Sequence, residues 1–139
     1  VLLRYVHKSE TAPKCRKEAR MYNIVFYEDS NGNCDLRDFL HMMQQKKKRA
    51  FYKLVAFLDY LAEKGADDKA VCRSPGYTIY MHGIPGVCVI LYAQCRKDSD
   101  GEEIYVLLHH YFTDRTSGGV PLIQLYNAIR KLRRYRQMC

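Results

Sequence analysis

The sequence predicts an α+β domain in which helices cover one twisted antiparallel sheet. Three observations support this fold class. Short β-branched and aromatic runs alternate with turn-forming residues, two adjacent stretches carry apolar residues at helical spacing, and a third such stretch lies near the C-terminus. In chain order the elements read β-α-α-β-β-β-α, so we expect two N-terminal helices and one basic C-terminal helix packed on the sheet.

The first strand is expected at Tyr22–Glu28, where β-branched and aromatic residues dominate. A turn centred on Asn31-Gly32 follows. Asp35 is expected to cap the next helix. The apolar residues of that helix fall at i, i+3, i+4 and i+7: Leu36, Phe39, Leu40 and Met43.

A second helix follows the basic run Lys46–Arg49 and is expected to end at Gly65. Together the two helices predict an αα-hairpin. The basic run is interpreted as a solvated turn, with RNA contact as the alternative. The second helix carries one apolar stripe, made by Phe51, Leu54, Val55, Leu58, Leu61 and Ala62.

Three strands are expected at about Tyr77–His82, Gly86–Arg96 and Glu103–Phe112. The turns between them are short, which predicts an antiparallel meander. The central strands are apolar on both faces, so we expect helices on both sides of the sheet. The last helix would contribute an apolar stripe of Leu122, Leu125, Ile129 and Leu132.

At 139 residues the chain is expected to form one domain. Residues 1–20 lack a sustained period and are interpreted as an N-terminal extension to a domain spanning 21–139; a short arm packed on that domain is the alternative. No apolar run approaches the ~20 residues that span a membrane, so we expect no membrane contact and a cytoplasmic location.

The six cysteines form no Cys-x-x-Cys pair, so we expect free thiols and no metal or other cofactor. Cys88 and Cys95 lie an odd number of residues apart in one strand and should face opposite sides of it. Cys88 is interpreted as a core residue.

The positive charge is concentrated at the two ends of the chain. Residues 1–20 carry six basic and two acidic side chains, and residues 115–139 carry six basic and none acidic. The body between them carries eleven basic and thirteen acidic side chains. This asymmetry predicts contact with nucleic acid or an acidic partner, and a solvated basic helix face is the alternative.

Three segments resemble the RelE/ParE superfamily of type II toxin–antitoxin modules, and its HigB-like branch in particular. The first runs from Ile24–Glu28 into Asp35–Leu40. The second is Val89–Tyr92, at the position of a family Ile-Leu-Tyr motif. The third is Val106–Phe112, followed by Arg115-Thr116 and by Pro121 at the start of a basic helix.

The resemblance implies a toxin that cleaves mRNA at the ribosome, using the 2′-hydroxyl as nucleophile and no metal. It also implies a partner antitoxin, small and of the helix-turn-helix kind. The sequence departs from the family pattern where Val89 replaces an arginine, Tyr80-Met81-His82 replaces a Glu-Leu-Arg-like triplet, and the loop before Pro121 keeps only Arg115 of its basic residues.

Two functions stay open at this point. The overall pattern and the basic helix favour an endoribonuclease toxin. The lost cations favour a toxin-like protein that only binds RNA or an antitoxin-like partner, because cations stabilise the charged transition state of RNA cleavage.

Candidate catalytic residues are His82, His109 and Arg115. The histidines can exchange protons near neutral pH, and Arg115 stands where the family keeps a cation. His109 is expected to share a strand face with Leu107 and Tyr111. Ordinary alternatives are a surface role for His82, a core role for His109 and a solvated Arg115. Candidate RNA-binding residues are Arg73, Tyr80, Tyr111, Arg130, Lys131, Arg133 and Arg134.

Overall fold

The structure is a computed structural model that describes residues 3–4, 22–66, 70–74, 77–96, 103–114 and 119–138. Six strands and three helices occupy these ranges. In chain order they are β1 (Leu3–Arg4), β2 (Asn23–Phe26), α1 (Asp35–Lys46), α2 (Lys48–Lys64), β3 (Ala70–Ser74), β4 (Tyr77–Ile84), β5 (Cys88–Arg96), β6 (Glu103–Phe112) and α3 (Leu122–Met138). The α+β class is therefore confirmed, and the order gains two strands, β1 and β3, that the sequence did not predict.

All six strands form one mixed sheet in the order β1-β2-β6-β5-β4-β3. The meander from β3 to β6 is antiparallel, and the prediction of antiparallel pairing among β4, β5 and β6 is confirmed. The expectation of a wholly antiparallel sheet is wrong, because β2 pairs with β6 in parallel. The helical hairpin carries the chain from β2 to the far edge, and three reversals then bring β6 back beside β2 in the same direction.

Helices cover both faces of the sheet, as predicted. On the α1–α2 face, both helices bury their apolar stripes against side chains such as Ile24, Ile90 and Leu107. On the α3 face, Ala128, Leu132 and Tyr135 pack on side chains that include Val25 and Leu91. Cys88 belongs to the first core and Cys95 packs against the second, so the predicted opposite orientation is confirmed.

Two expectations, the cap of α1 and the burial of Leu122, are corrected by the structure. Asp35 is the first helical residue and does not cap α1; Cys34 occupies the cap position and makes no side-chain cap hydrogen bond. Leu122 was expected in the core and is 81% exposed, because α3 reaches the sheet through its later turns. The predicted end of α2 is confirmed: Gly65 adopts a φ of 83° and its N–H donates to the carbonyl of Leu61.

Leu3–Arg4 pairs with β2 at the sheet edge. The proposed boundary at residue 20 stays a prediction.

The described cysteines, Cys34, Cys72, Cys88 and Cys95, are free thiols, and burial raises the pKa of Cys88 to about 11. Within the described ranges, no helix is both long and apolar enough to cross a membrane.

Candidate functional site

A cleft of about 200 Å³ opens just beyond the end of β2, between β6 and α3. We call it the α3 cleft. Its walls come from the loop between β2 and α1, from the first turn of α1, from β6 and from α3. The lining residues are Tyr27, Asp29, Asn33, Asp35, Leu36, Leu108, His110, Arg130, Lys131 and Arg134. The parallel pairing of β2 with β6 places these segments together, because it brings the ends of both strands to one edge.

The wall formed by the loop after β2 is held by one carboxylate. Asp29 Oδ1 accepts hydrogen bonds from the backbone N–H groups of Asn31 (2.8 Å) and Asn33 (2.9 Å), and Oδ2 accepts one from Asn33 Nδ2 (3.2 Å). The backbone hydrogen bond from Asn33 is the main cause that lowers the pKa of Asp29. This carboxylate is therefore charged at neutral pH and is engaged within its own loop.

Lys131 reaches into the cleft from α3 and is held by a chain of polar contacts. Its Nζ lies 3.2 Å from His109 Nδ1, and His109 Nε2 lies 2.6 Å from Gln124 Oε1. An ammonium group only donates hydrogen bonds, so His109 Nδ1 must accept the one from Lys131. Nε2 must then carry the hydrogen and donate a hydrogen bond to Gln124 Oε1. His109 is thus fixed as one neutral tautomer, and Lys131 is directed by it.

The pKa shifts of His109 and Lys131 agree with a neutral His109 beside a charged Lys131. Burial is the main cause that lowers the pKa of His109, and the nearby charge of Lys131 lowers it further. Burial also lowers the pKa of Lys131, whereas Asp35 opposes that change. The ammonium group lies 5.9 Å from the centre of the Tyr27 ring, a cation–π contact. Lys131 is therefore a partly dehydrated cation with a fixed position.

A β-bulge explains why His109 faces α3. Leu91 pairs with His109 and Tyr92 pairs with Leu107, so Leu108 is left without a partner on β5. The extra residue reverses the alternation of side chains along β6. Leu107 belongs to the α1–α2 core, whereas His109 contacts α3 and Tyr111 packs on the α3 side. The prediction that His109 shares a face with Leu107 is wrong, and its sharing a face with Tyr111 is confirmed.

His110 lines the α3 cleft beside these groups. Its ring stacks on Phe39 with centroids 4.4 Å apart. Burial is the main cause that lowers the pKa of His110 to about 4, and His109 and Lys131 lower it further. The imidazole is neutral at pH 7, so it adds a hydrogen-bonding group to the cleft without adding charge.

The charge balance of the cleft favours an anion. Arg130, Lys131 and Arg134 supply three cations, against the carboxylates of Asp29 and Asp35. Because Asp29 is engaged in its loop, it competes weakly for a ligand. Within the described ranges, no group of three or more His, Cys, Asp or Glu side chains is arranged to hold a metal ion. The arrangement suits a phosphate group, which takes charged hydrogen bonds from ammonium and guanidinium groups.

The structure brings together only part of the predicted site. Arg130, Lys131 and Arg134 line the cleft, and His109 lies directly behind Lys131. Tyr111 lies beside His109 with ring centroids 6.4 Å apart, and burial raises its pKa.

Other predicted residues lie elsewhere. His82 stacks on Phe57 at 3.9 Å, and Tyr80 stacks on Tyr92 at 5.4 Å, both on the α1–α2 face. His82 and His109 are therefore on opposite sides of the sheet and do not form one catalytic pair. Arg73 is exposed on the edge strand β3.

Arg133 does not line the cleft. Arg133 Nε donates to the Tyr77 hydroxyl at 2.8 Å, and its guanidinium lies over the Tyr77 ring. Arg115 lies outside the described residues.

Sequence reasoning missed Tyr27, Asn33, Asp35 and His110 as parts of a site. The sequence predicts the turn at Asp29–Asn33, but the position of this turn opposite α3 depends on the parallel pairing of β2 with β6.

In comparisons with known proteins, no family model, curated protein or solved structure matches this chain. Membership of the RelE/ParE superfamily therefore stays a prediction.

Proposed function

We propose that this protein binds RNA through phosphate contacts in the α3 cleft and acts as a toxin-like binding protein. The observation that carries the proposal is the fixed ammonium group of Lys131, held by His109 between Arg130 and Arg134. A cation that is already oriented and partly dehydrated loses less freedom and less hydration when a phosphate arrives. Charged hydrogen bonds of this kind contribute roughly 1.5–3 kcal/mol each.

The identity of the RNA and of a protein partner is proposed from the resemblance to RelE/ParE toxins. The resemblance suggests mRNA on the ribosome as the RNA, and a small helix-turn-helix antitoxin as the protein partner. The exposed basic side of α3, with Arg133, Arg134 and Arg136, is compatible with either polyanion. The separation of His82 from His109 favours binding over the cleavage that those two residues were expected to perform.

Cleavage is the second candidate function, and one observation favours it. His110 places a neutral imidazole in the same cleft as Lys131. In that reaction His110 would take the proton of the 2′-hydroxyl as its oxygen attacks the adjacent phosphorus. The bond to the 5′-oxygen would break, Lys131 would give that oxygen a proton, and the products would be a 2′,3′-cyclic phosphate and a 5′-hydroxyl.

Binding is tested by titrating a fluorescent single-stranded RNA with the whole chain at several salt concentrations. Lys131→Met should weaken binding about 10- to 100-fold and lower the magnitude of the salt slope by about one, because one phosphate contact is lost. The control is Lys64→Met, which removes an exposed lysine at the far end of α2. Equal affinities for Lys131→Met and the unmodified chain would refute the α3 cleft as the binding site.

The same samples decide between the two functions after incubation and separation of the RNA on a gel. Intact RNA at full binding supports the binding protein. Fragments ending in a cyclic phosphate that disappear with His110→Ala support cleavage. Fragments that disappear with His82→Ala instead would restore the site that the sequence predicted.

A further inference from the structure

A second basic surface lies on the other side of the sheet, where α1 meets α2. Lys46, Lys47, Lys48 and Arg49 follow one another here, and all four are exposed. Lys53, one turn further along α2, is exposed as well. The sequence contains no acidic residue from Phe39 to Leu58. Among the described residues these five cations form no ion pair, so that part of the chain does not neutralise their charge.

An open cleft of about 450 Å³ adjoins this run, and we call it the corner cleft. It is lined by Gln44, Gln45, Lys48, Phe51 and Tyr52. Tyr52 is 65% exposed, unusually open for a large aromatic side chain. Its ring lies 6.0 Å from that of Phe51, with the two planes inclined at 59°. The corner cleft therefore combines an accessible aromatic face with two amides and one cation.

We propose that the corner cleft binds a base of single-stranded RNA, with the adjoining phosphates on the basic run. The aromatic face of Tyr52 would stack on the base, since every nucleobase offers a flat face of its own. The amides of Gln44 and Gln45 each carry donors and an acceptor suited to a base edge. Lys48, at the rim, would contact the phosphate of the same nucleotide.

This ligand fits the surface better than an acidic protein segment does. Carboxylates of a peptide would use the cations but would leave the stacking face and the paired amides without a role. The two basic surfaces flank opposite faces of the sheet, with α2 packed on one and α3 on the other. The corner cleft is therefore a site separate from the α3 cleft, and the proposal does not depend on the function assigned to Lys131.

The test measures binding of a fluorescent octauridylate to the full chain carrying Lys131→Met, so that the α3 cleft contributes little. Adding Tyr52→Ala should weaken binding about 5- to 100-fold, the usual range for loss of one stacked base. Tyr60→Ala is the matched control, because Tyr60 is 50% exposed on the same helix and does not line the cleft. Circular dichroism of each variant checks that the fold is unchanged.

Two comparisons complete the experiment. Octauridylate should bind more tightly than an RNA duplex of equal length, because paired bases are not free to stack. Affinity within twofold for Tyr52→Ala and Tyr60→Ala would overturn the proposal. A polyglutamate peptide that binds as tightly as octauridylate would also overturn it and would assign the surface to an acidic protein partner.

Discussion

The two faces of the sheet handle charge in different ways. On the α1–α2 face, two helices cover the sheet and their lysines are exposed. On the α3 face, one helix must both cover the sheet and carry the cations. Lys131 is therefore half-buried and is tied to the sheet through His109. A cation of the first kind attracts a polyanion over a distance, whereas one of the second kind fixes the place where a phosphate binds.

The same contrast appears in the cores. Tyrosines contact one another across the α1–α2 face: Tyr80 stacks on Tyr92, and Tyr105 meets both rings edge-on. The α3 face is mainly aliphatic near α3, with Val25, Leu91 and Val106 beneath the helix. The polar chain from Gln124 to Lys131 lies at the end of that aliphatic layer. A phosphate site is therefore expected where polar groups reach the sheet.

The largest effect comes from removing the apolar anchor of either helical layer. Leu58→Ala and Leu132→Ala should each lower the free energy of unfolding by about 2–5 kcal/mol, because both side chains are fully buried. Leu122→Ala should change it by less than about 0.5 kcal/mol, because that side chain is 81% exposed. Urea denaturation measures all three. Loss of α3 structure in a separate first transition would contradict the expectation that both helical layers unfold in one cooperative transition.

A smaller effect should appear when the pH is lowered. In the unfolded chain a histidine takes up a proton near its ordinary pKa of 6.5, whereas His110 in the fold does so only near 4. The unfolded state binds more protons between these values, so the free energy of unfolding falls as the pH drops through that window. Between pH 7 and pH 5 we expect a loss of roughly 1–2 kcal/mol from this residue.

His110→Phe keeps a ring against Phe39 and removes the titrating group, so its loss between pH 7 and pH 5 should be smaller by that amount. His41→Asn, at an exposed position on α1, is the control and should retain the loss. Denaturation curves at the two pH values measure both. An unchanged pH dependence in His110→Phe would show that His110 is not the source of this loss of stability.

The smallest effect concerns the hydroxyl that ties the end of α2 to the sheet. The Ala66 N–H donates to the Tyr105 hydroxyl at 2.8 Å, and Tyr105 is 3% exposed. Tyr105→Phe should cost about 1 kcal/mol of stability, the usual net value of one hydrogen bond. Tyr60→Phe, at a half-exposed position on α2, should cost nothing measurable. A cost of zero for Tyr105→Phe would mean that the ring contacts of Tyr105, and not its hydroxyl, stabilise this part of the fold.

Local patterns in the sequence determined the elements themselves. The helices at Asp35–Lys46 and Lys48–Lys64, the stop at Gly65 and the strand Glu103–Phe112 follow from apolar periodicity and turn chemistry, which act over a few residues. The alternation of Cys88 and Cys95 across β5 follows from the period of a strand. The basic character of α3 needs no more than a count of side chains.

The tertiary structure decided which residues meet. Parallel pairing of β2 with β6 depends on contacts between segments far apart in the chain, and it alone brings the loop at Asp29 to α3. The bulge at Leu108 turns His109 toward Lys131 and away from the face of Leu107, which strict alternation cannot foresee. Sequence patterns report local preference, whereas a site is made by long-range packing, so the cations were predictable and their arrangement was not.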